Sequence, residues 1–136
     1  MGQQQLLLLV IGLIIVAVAV ISGIQAALDA FGKSESDGIL ARNLAIASNA
    51  VFWKTKMDPF DGGNAEYTRL ESSGMATLAM DTETELATWG ITGATSSTLE
   101  VTGVSKRDPS LGVRTFISGY DIDSTIVRFD GSVTLE

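Results

Sequence analysis

Apolar and polar residues alternate along this chain in three distinct rhythms. From Leu6 to Ile24 only Gly12, Ser22 and Gly23 interrupt the apolar side chains, and no charged residue occurs before Asp29. A helix with no polar face needs an apolar environment on every side, either lipid or a bundle of like helices. At about 1.5 Å per residue, Leu6 to Leu28 reaches about 35 Å, enough to cross a hydrocarbon core of about 30 Å. The pattern predicts one helix over 1–31. Its membrane-facing or partner-facing side chains include Leu6, Leu9, Val10, Leu13, Ile14, Val18, Ile21 and Ile24. Gly12 and the Ser22-Gly23 pair are its weak points, because glycine costs about 1 kcal/mol in a helix interior relative to alanine. Small residues there also permit close helix packing.

A polar stretch, Gly32-Lys33-Ser34-Glu35-Ser36-Asp37-Gly38, interrupts the run as either a hinge or a solvated turn of a continuous helix, and a bend or short break is the favoured expectation. Helical periodicity then returns over 39–57. Leu40, Leu44, Ala47 and Val51 fall at i, i+4, i+7 and i+11, widened by Ile39, Ile46 and Ala50, while Arg42, Asn43 and Asn49 lie off that stripe. The stripe is expected to pack on a sheet, with Phe52 or Trp53 closing one end of the core. Lys54 and Lys56 suit the negative end of the helix dipole, and Asp58-Pro59 ends the helix.

Beyond residue 58 the rhythm changes to loops and alternation. Asp61-Gly62-Gly63-Asn64 and Ser72-Ser73-Gly74 read as loops, Glu66–Leu70 as a short strand, and Leu86–Trp89 as the start of a sheet. Thr98–Val104 alternates, with Leu99 and Val101 inward and Val104 a further inward candidate. Val113–Tyr120 alternates likewise, with Val113, Thr115 and Ile117 on one face. Turns are expected at Lys106–Ser110 and Asp121–Ser124. Thr125–Leu135 reads as a third strand or a hairpin bending at Asp130-Gly131. The predicted fold class is α+β: a long N-terminal apolar helix continuing into an amphipathic helix packed on a small antiparallel sheet of three to five strands. The parts are 1–31, the hinge and second helical half 32–57, and a β-rich headpiece 58–136.

Charge and composition narrow the functions. The chain of 136 residues has a net charge of −7, and Asp29 and Lys33 cancel, so the whole excess lies after residue 33. An acidic exposed domain argues against nucleic acid or anionic lipid surfaces as partners. With no histidine and no cysteine, His/Cys zinc sites, Ser-His-Asp and Cys-His catalysis are excluded. The Asp58–Asn64 loop and Asp121-Ile122-Asp123 present oxygens that suit Ca²⁺, but they lack a complete ligand spacing and read as turns. Glu83 and Glu85 read as a solvated face. No enzyme and no cofactor is expected.

A cleavable secretory signal needs a basic n-region and a shorter apolar core, which this N-terminus lacks. A plain anchor would take its topology from flanking basic residues, and only Lys33 is present. The missing basic flank is expected to reflect a leader already removed. The early apolar helix, its amphipathic continuation around Ala41–Ala50, the Gly-containing turn at Asp61–Asn64 and the Ser/Thr/Gly-rich β domain together resemble type IV pilins and pseudopilins, in a divergent bacterial branch. The Met1-Gly2-Gln3-Gln4-Gln5-Leu6 start looks like a processed pilin N-terminus. Met1 and Gln5 are then the processing and assembly positions. With Met1 as the mature terminus, Gln5 departs from the family, which usually carries glutamate there, and offers amide hydrogen bonds in place of a carboxylate-to-amine pair; cleavage between Gly2 and Gln3 would shift the register so that Gln5 is not that position.

The resemblance implies a structural subunit of a type IV pilus-like extracellular filament. Apolar helices would bundle in its core and acidic β domains would cover it. It further implies identical subunits as partners, the inner membrane before assembly, and prepilin peptidase with pilus assembly machinery. It implies N-terminal methylation as well. The other expectations are a minor pseudopilin of a secretion or DNA-uptake system, and a membrane-anchored extracytoplasmic binding module.

Overall fold

The computed structural model describes residues 2–135, so Met1 lies outside the described residues. Helix α1 spans Gly2–Thr55. Contacts divide the chain into two compact units between Ser34 and Glu35. In the first unit every residue from Gly2 to Phe31 is exposed. Its helicity rests on backbone hydrogen bonds and on a sequence rich in leucine and alanine, which favour helix. Gly12 and Gly23 sit within unbroken helix, and no side chain from elsewhere approaches either.

The break expected at 32–38 is absent, because these residues are helical. Contacts within the second unit support the helix around Gly38. The Glu35 carboxylate accepts a hydrogen bond from Ser105 Oγ, Ser36 is buried, and the Leu86 side chain closes over Gly38.

The second unit is built on a four-stranded antiparallel meander: β1 (Ala87–Ala94), β2 (Thr98–Ser105), β3 (Gly112–Ser118) and β4 (Asp121–Arg128), in the order β1-β2-β3-β4. The alternation of β3 holds: Val113, Thr115 and Ile117 are buried and Arg114 and Phe116 lie on the other face. Leu99 and Val101 of β2 face the same way as the β3 trio, since Val101 pairs with Thr115 and Leu99 with Ile117. The helix packs onto this surface through Ile39, Asn43, Ile46, Ala47, Ala50 and Trp53. It approaches β2 so closely at Gly103 that an added Cβ would lie 2.6 Å from both Ile39 Cγ2 and Trp89 Nε1.

The buried stripe therefore runs Ser36, Ile39, Asn43, Ile46, Ala50, Trp53, spaced three or four residues apart. It is rotated from the expected one. Of the expected packing residues Ala47 is fully buried, Leu40 and Val51 are half-buried against the core, and Leu44 is exposed. Asn43, placed off the stripe by its polarity, lies at its centre. Trp53 closes the core and Phe52 stays in solvent.

Three local readings also change. Glu66–Leu70 holds a 3-10 helix, Thr68–Leu70, whose Leu70 enters the core, and helix α2 (Gly74–Thr77) follows. Asp121–Ser124 belongs to β4, and the β3–β4 turn is Gly119-Tyr120 instead. Gly119 has φ +65°, a conformation glycine adopts without penalty at the first position of a two-residue hairpin turn. The chain does bend at Asp130-Gly131, but 132–135 is not a strand. That tail lies on the outer face of the sheet: Arg114 Nη2 donates to Thr134 O at 2.9 Å, and Val133 is buried against Gly112.

Candidate functional site

The largest chemically distinctive surface is the apolar helix of the first unit. Leu6, Leu9, Leu13, Ile14, Val18, Ile21 and Ile24 are each more than half exposed, and Val10 is 42% exposed. Successive residues of a helix point about 100° apart, so these eight positions cover about half the circumference, and the equally exposed Leu7, Leu8, Ile11, Ile15, Val16 and Val20 extend the apolar surface round the other half. One window of α1 reaches a mean hydropathy of 3.1 with none of it buried, the one segment among the described residues long and apolar enough to cross a membrane. Soluble monomers rarely expose apolar patches beyond a few hundred Å². The surface is suited to membrane anchoring. Gln5 stands at its start, exposed beside Gln3 and Gln4, with only amide donors and acceptors to offer.

In the second unit, polar side chains inside the core fix the helix on the sheet. Asn43 is fully buried, and its Nδ2 donates to Val113 O at 3.0 Å, with Val101 O and Thr115 Oγ1 at 3.4 Å. Buried amides of this kind select one register, because any slide of the helix leaves the donor unpaired. About three turns further along the helix, Lys54 is 4% exposed. Its Nζ donates to Gly119 O at 3.2 Å and lies 4.3 Å and 4.6 Å from the ring centres of Tyr67 and Tyr120. Tyr67 Oη donates to the same Gly119 carbonyl at 2.7 Å. Burial, and then the neighbouring Tyr120, push the Tyr67 hydroxyl up to about 12. This cluster clamps the β3–β4 turn to the end of α1.

Sequence reasoning placed Lys54 at the helix dipole and missed its burial. Its position one residue after Trp53, with Tyr67 and Tyr120 available as ring partners, was the only signal. Asn43 carried a signal in its spacing, since it lies four residues from Ile39 and three from Ile46.

Of the acidic residues weighed as ligands, Asp58 acts in a local turn and Asp121 and Asp123 lie in β4; Asp108 and Asp130 act in turns as Asp58 does. Asp58 Oδ1 accepts from Phe60 N at 2.9 Å, and Asp130 Oδ1 from Ser132 N at 2.9 Å. Asp108 accepts from both the backbone and the hydroxyl of Ser110. These hydrogen bonds, side-chain contacts first, hold the Asp108 and Asp130 carboxyls below the usual range. Glu83 pairs with Lys106 at the surface. Among the described residues no three acidic side chains converge as a metal site would require.

Compared with models of known families, with curated proteins and with solved structures, the chain matches none. What is established is an α+β arrangement: a long N-terminal apolar helix and a four-stranded antiparallel sheet, the ingredients of a pilin-like chain.

Proposed function

We propose that this chain is a structural subunit that polymerises into a type IV pilus-like extracellular filament. The observation that supports it is the helix from Gly2 to Phe31, apolar on its whole circumference and exposed at every residue. Such a helix serves two environments in turn. In the inner membrane its side chains meet lipid. On assembly they meet the same helix of neighbouring subunits, and lipid contacts are exchanged for protein contacts of like polarity. A heterologous contact repeated from copy to copy gives an open helical polymer instead of a closed ring. The acidic second units face water and keep the polymer soluble. Identical subunits, a processing peptidase and an assembly machinery in the inner membrane are the partners of this reading.

Expression of the full chain with a pilus assembly system tests it. Thin fibres of uniform diameter in negative-stain images, labelled by an antibody to the second unit, are expected. Protein confined to detergent-extractable membrane, with no fibre at any expression level, would overturn the reading.

A further inference from the structure

The two edges of the sheet differ. The β1 edge is closed: Glu83 bridges Thr88, Trp89 N donates to Thr82 O at 2.7 Å, and Thr84 N donates to Ala87 O at 3.0 Å. The β4 edge is open. β4 pairs only with β3, and no other backbone hydrogen bond reaches Asp121–Arg128 among the described residues. Seven of its eight residues are exposed, and Ile122, Ile126 and Val127 present apolar side chains at 46%, 37% and 37% exposure. An open, long and partly apolar edge is a template for another strand.

The register against β3 assigns each β4 residue to a face. Ile122, Thr125 and Val127 stand opposite Ile117, Thr115 and Val113, on the helix side. Asp121, Ser124, Ile126 and Arg128 stand opposite Ser118, Phe116, Arg114 and Gly112, on the outer side. Asp123 is the extra residue at the irregularity between Phe116 and Ile117. Because of that extra residue, Asp121 and Arg128 share a face, although in a regular strand they would point opposite ways.

We infer that a second copy of this chain adds to this edge, β4 against β4 antiparallel and centred on Thr125. In that register Thr125 faces its own copy, Ser124 faces Ile126, Ile122 faces Val127, and Asp121 faces Arg128. Every opposed pair shares a face, and the two-fold axis makes each contact twice. Two Asp–Arg pairs form at the ends and two apolar pairs inside them. Among the described residues neither Asp121 nor Arg128 is in a salt bridge, although Arg128 bears electrostatically on Asp130. Parallel addition would set Asp121 beside Asp121, and an antiparallel slip by two residues would set Asp121 against Ile126. The oppositely charged ends, Asp121 and Arg128, and the extra residue thus leave one complementary register. This contact closes on two copies, so it is separate from the open head-to-tail contact proposed for the filament and joins subunits of two filaments or two unassembled chains.

The chain contains no cysteine, so a single introduced thiol reports the contact. Full-length Thr125→Cys in detergent, treated with a mild oxidant, is expected to give a disulfide dimer. Ser96→Cys, exposed in the β1–β2 turn, is expected to give little. Adding Asp121→Arg or Arg128→Asp to Thr125→Cys is expected to lower the dimer yield about fivefold or more, and combining both is expected to restore it. Sedimentation of the same charge variants without cysteine gives a second reading that does not depend on Thr125. Equal yield from Ser96→Cys, or charge reversals that change neither yield nor sedimentation, would overturn the pairing whether or not fibres form.

Discussion

The two stretches of α1 invert the usual relation between apolarity and burial. Residues 2–31 are the most apolar part of the chain, and every one is exposed. Residues 35–55 carry Glu35, Asp37, Arg42, Asn43, Asn49 and Lys54, and their inner face is buried on the sheet. Apolar surface is driven out of water at about 25 cal/mol per Å². Where the chain supplies its own cover, a mixed sequence with an apolar stripe suffices. Where it supplies none, the sequence is apolar all round and suited to an apolar environment such as lipid. The proposed filament would complete that stretch from outside the molecule, as the sheet completes the other from within.

The largest expected effect tests that contrast directly. Leu13→Arg places a charge in the middle of the apolar stretch, at a cost of about 2.5–3.5 kcal/mol for membrane insertion. Fibres are expected to disappear and membrane retention to fall, measured by electron microscopy and by alkaline extraction. Thermal unfolding of the second unit is expected to stay unchanged. A coincident drop in its melting temperature would mean that the two stretches are not energetically separate.

Within the second unit, Asn43→Asp is expected to destabilise by about 3–5 kcal/mol, because a carboxylate would face the Val101 and Val113 carbonyls without a donor. Asn43→Leu replaces the amide with an apolar group of similar size, and is expected to cost about 1–3 kcal/mol. Chemical denaturation of the full chain checks the order. A smaller loss for Asp than for Leu would show that the buried amide does not set the helix register.

These residues also show what the sequence made legible. The alternation of Val113, Thr115 and Ile117 placed β3 and its inner face, because a strand buried on one side imposes a period of two. The apolar stretch was plain because nothing polar interrupts it. The rotation of the second helical stripe was hidden, since it includes the polar Ser36 and Asn43, and the burial of Asn43 depends on Val113 and Thr115, distant in sequence. β4 was hidden in part because Asp121-Ile122-Asp123-Ser124 has the composition of a turn. The candidate surface was legible as apolar residues, whereas the open β4 edge required the strand order.

Tyr67 gives the expected pH dependence. Its hydroxyl is raised from 10.0 to about 12 in the folded chain, so the folded state keeps a proton that the unfolded state has lost between those values. The stabilisation is fully present below pH 10 and is lost as pH rises toward 12. Tyr67→Phe is expected to flatten that part of the stability profile while leaving neutral-pH fibres intact. An unchanged slope would show that burial beside Tyr120 does not hold the hydroxyl protonated.

The smallest expected effect decides which stripe of the second stretch is the core. Leu44→Ser changes an exposed side chain and is expected to alter stability by less than about 0.5 kcal/mol. Ile46→Ala, two residues on, empties a fully buried site and is expected to cost about 2–5 kcal/mol. Sequence periodicity alone ranks Leu44 as the more central of the two, and the packed structure reverses that order. Parallel denaturation of the two variants separates the alternatives: equal losses would mean that the helix is free to rotate on the sheet, which the Asn43 hydrogen bonds and the close approach at Gly103 are argued to forbid.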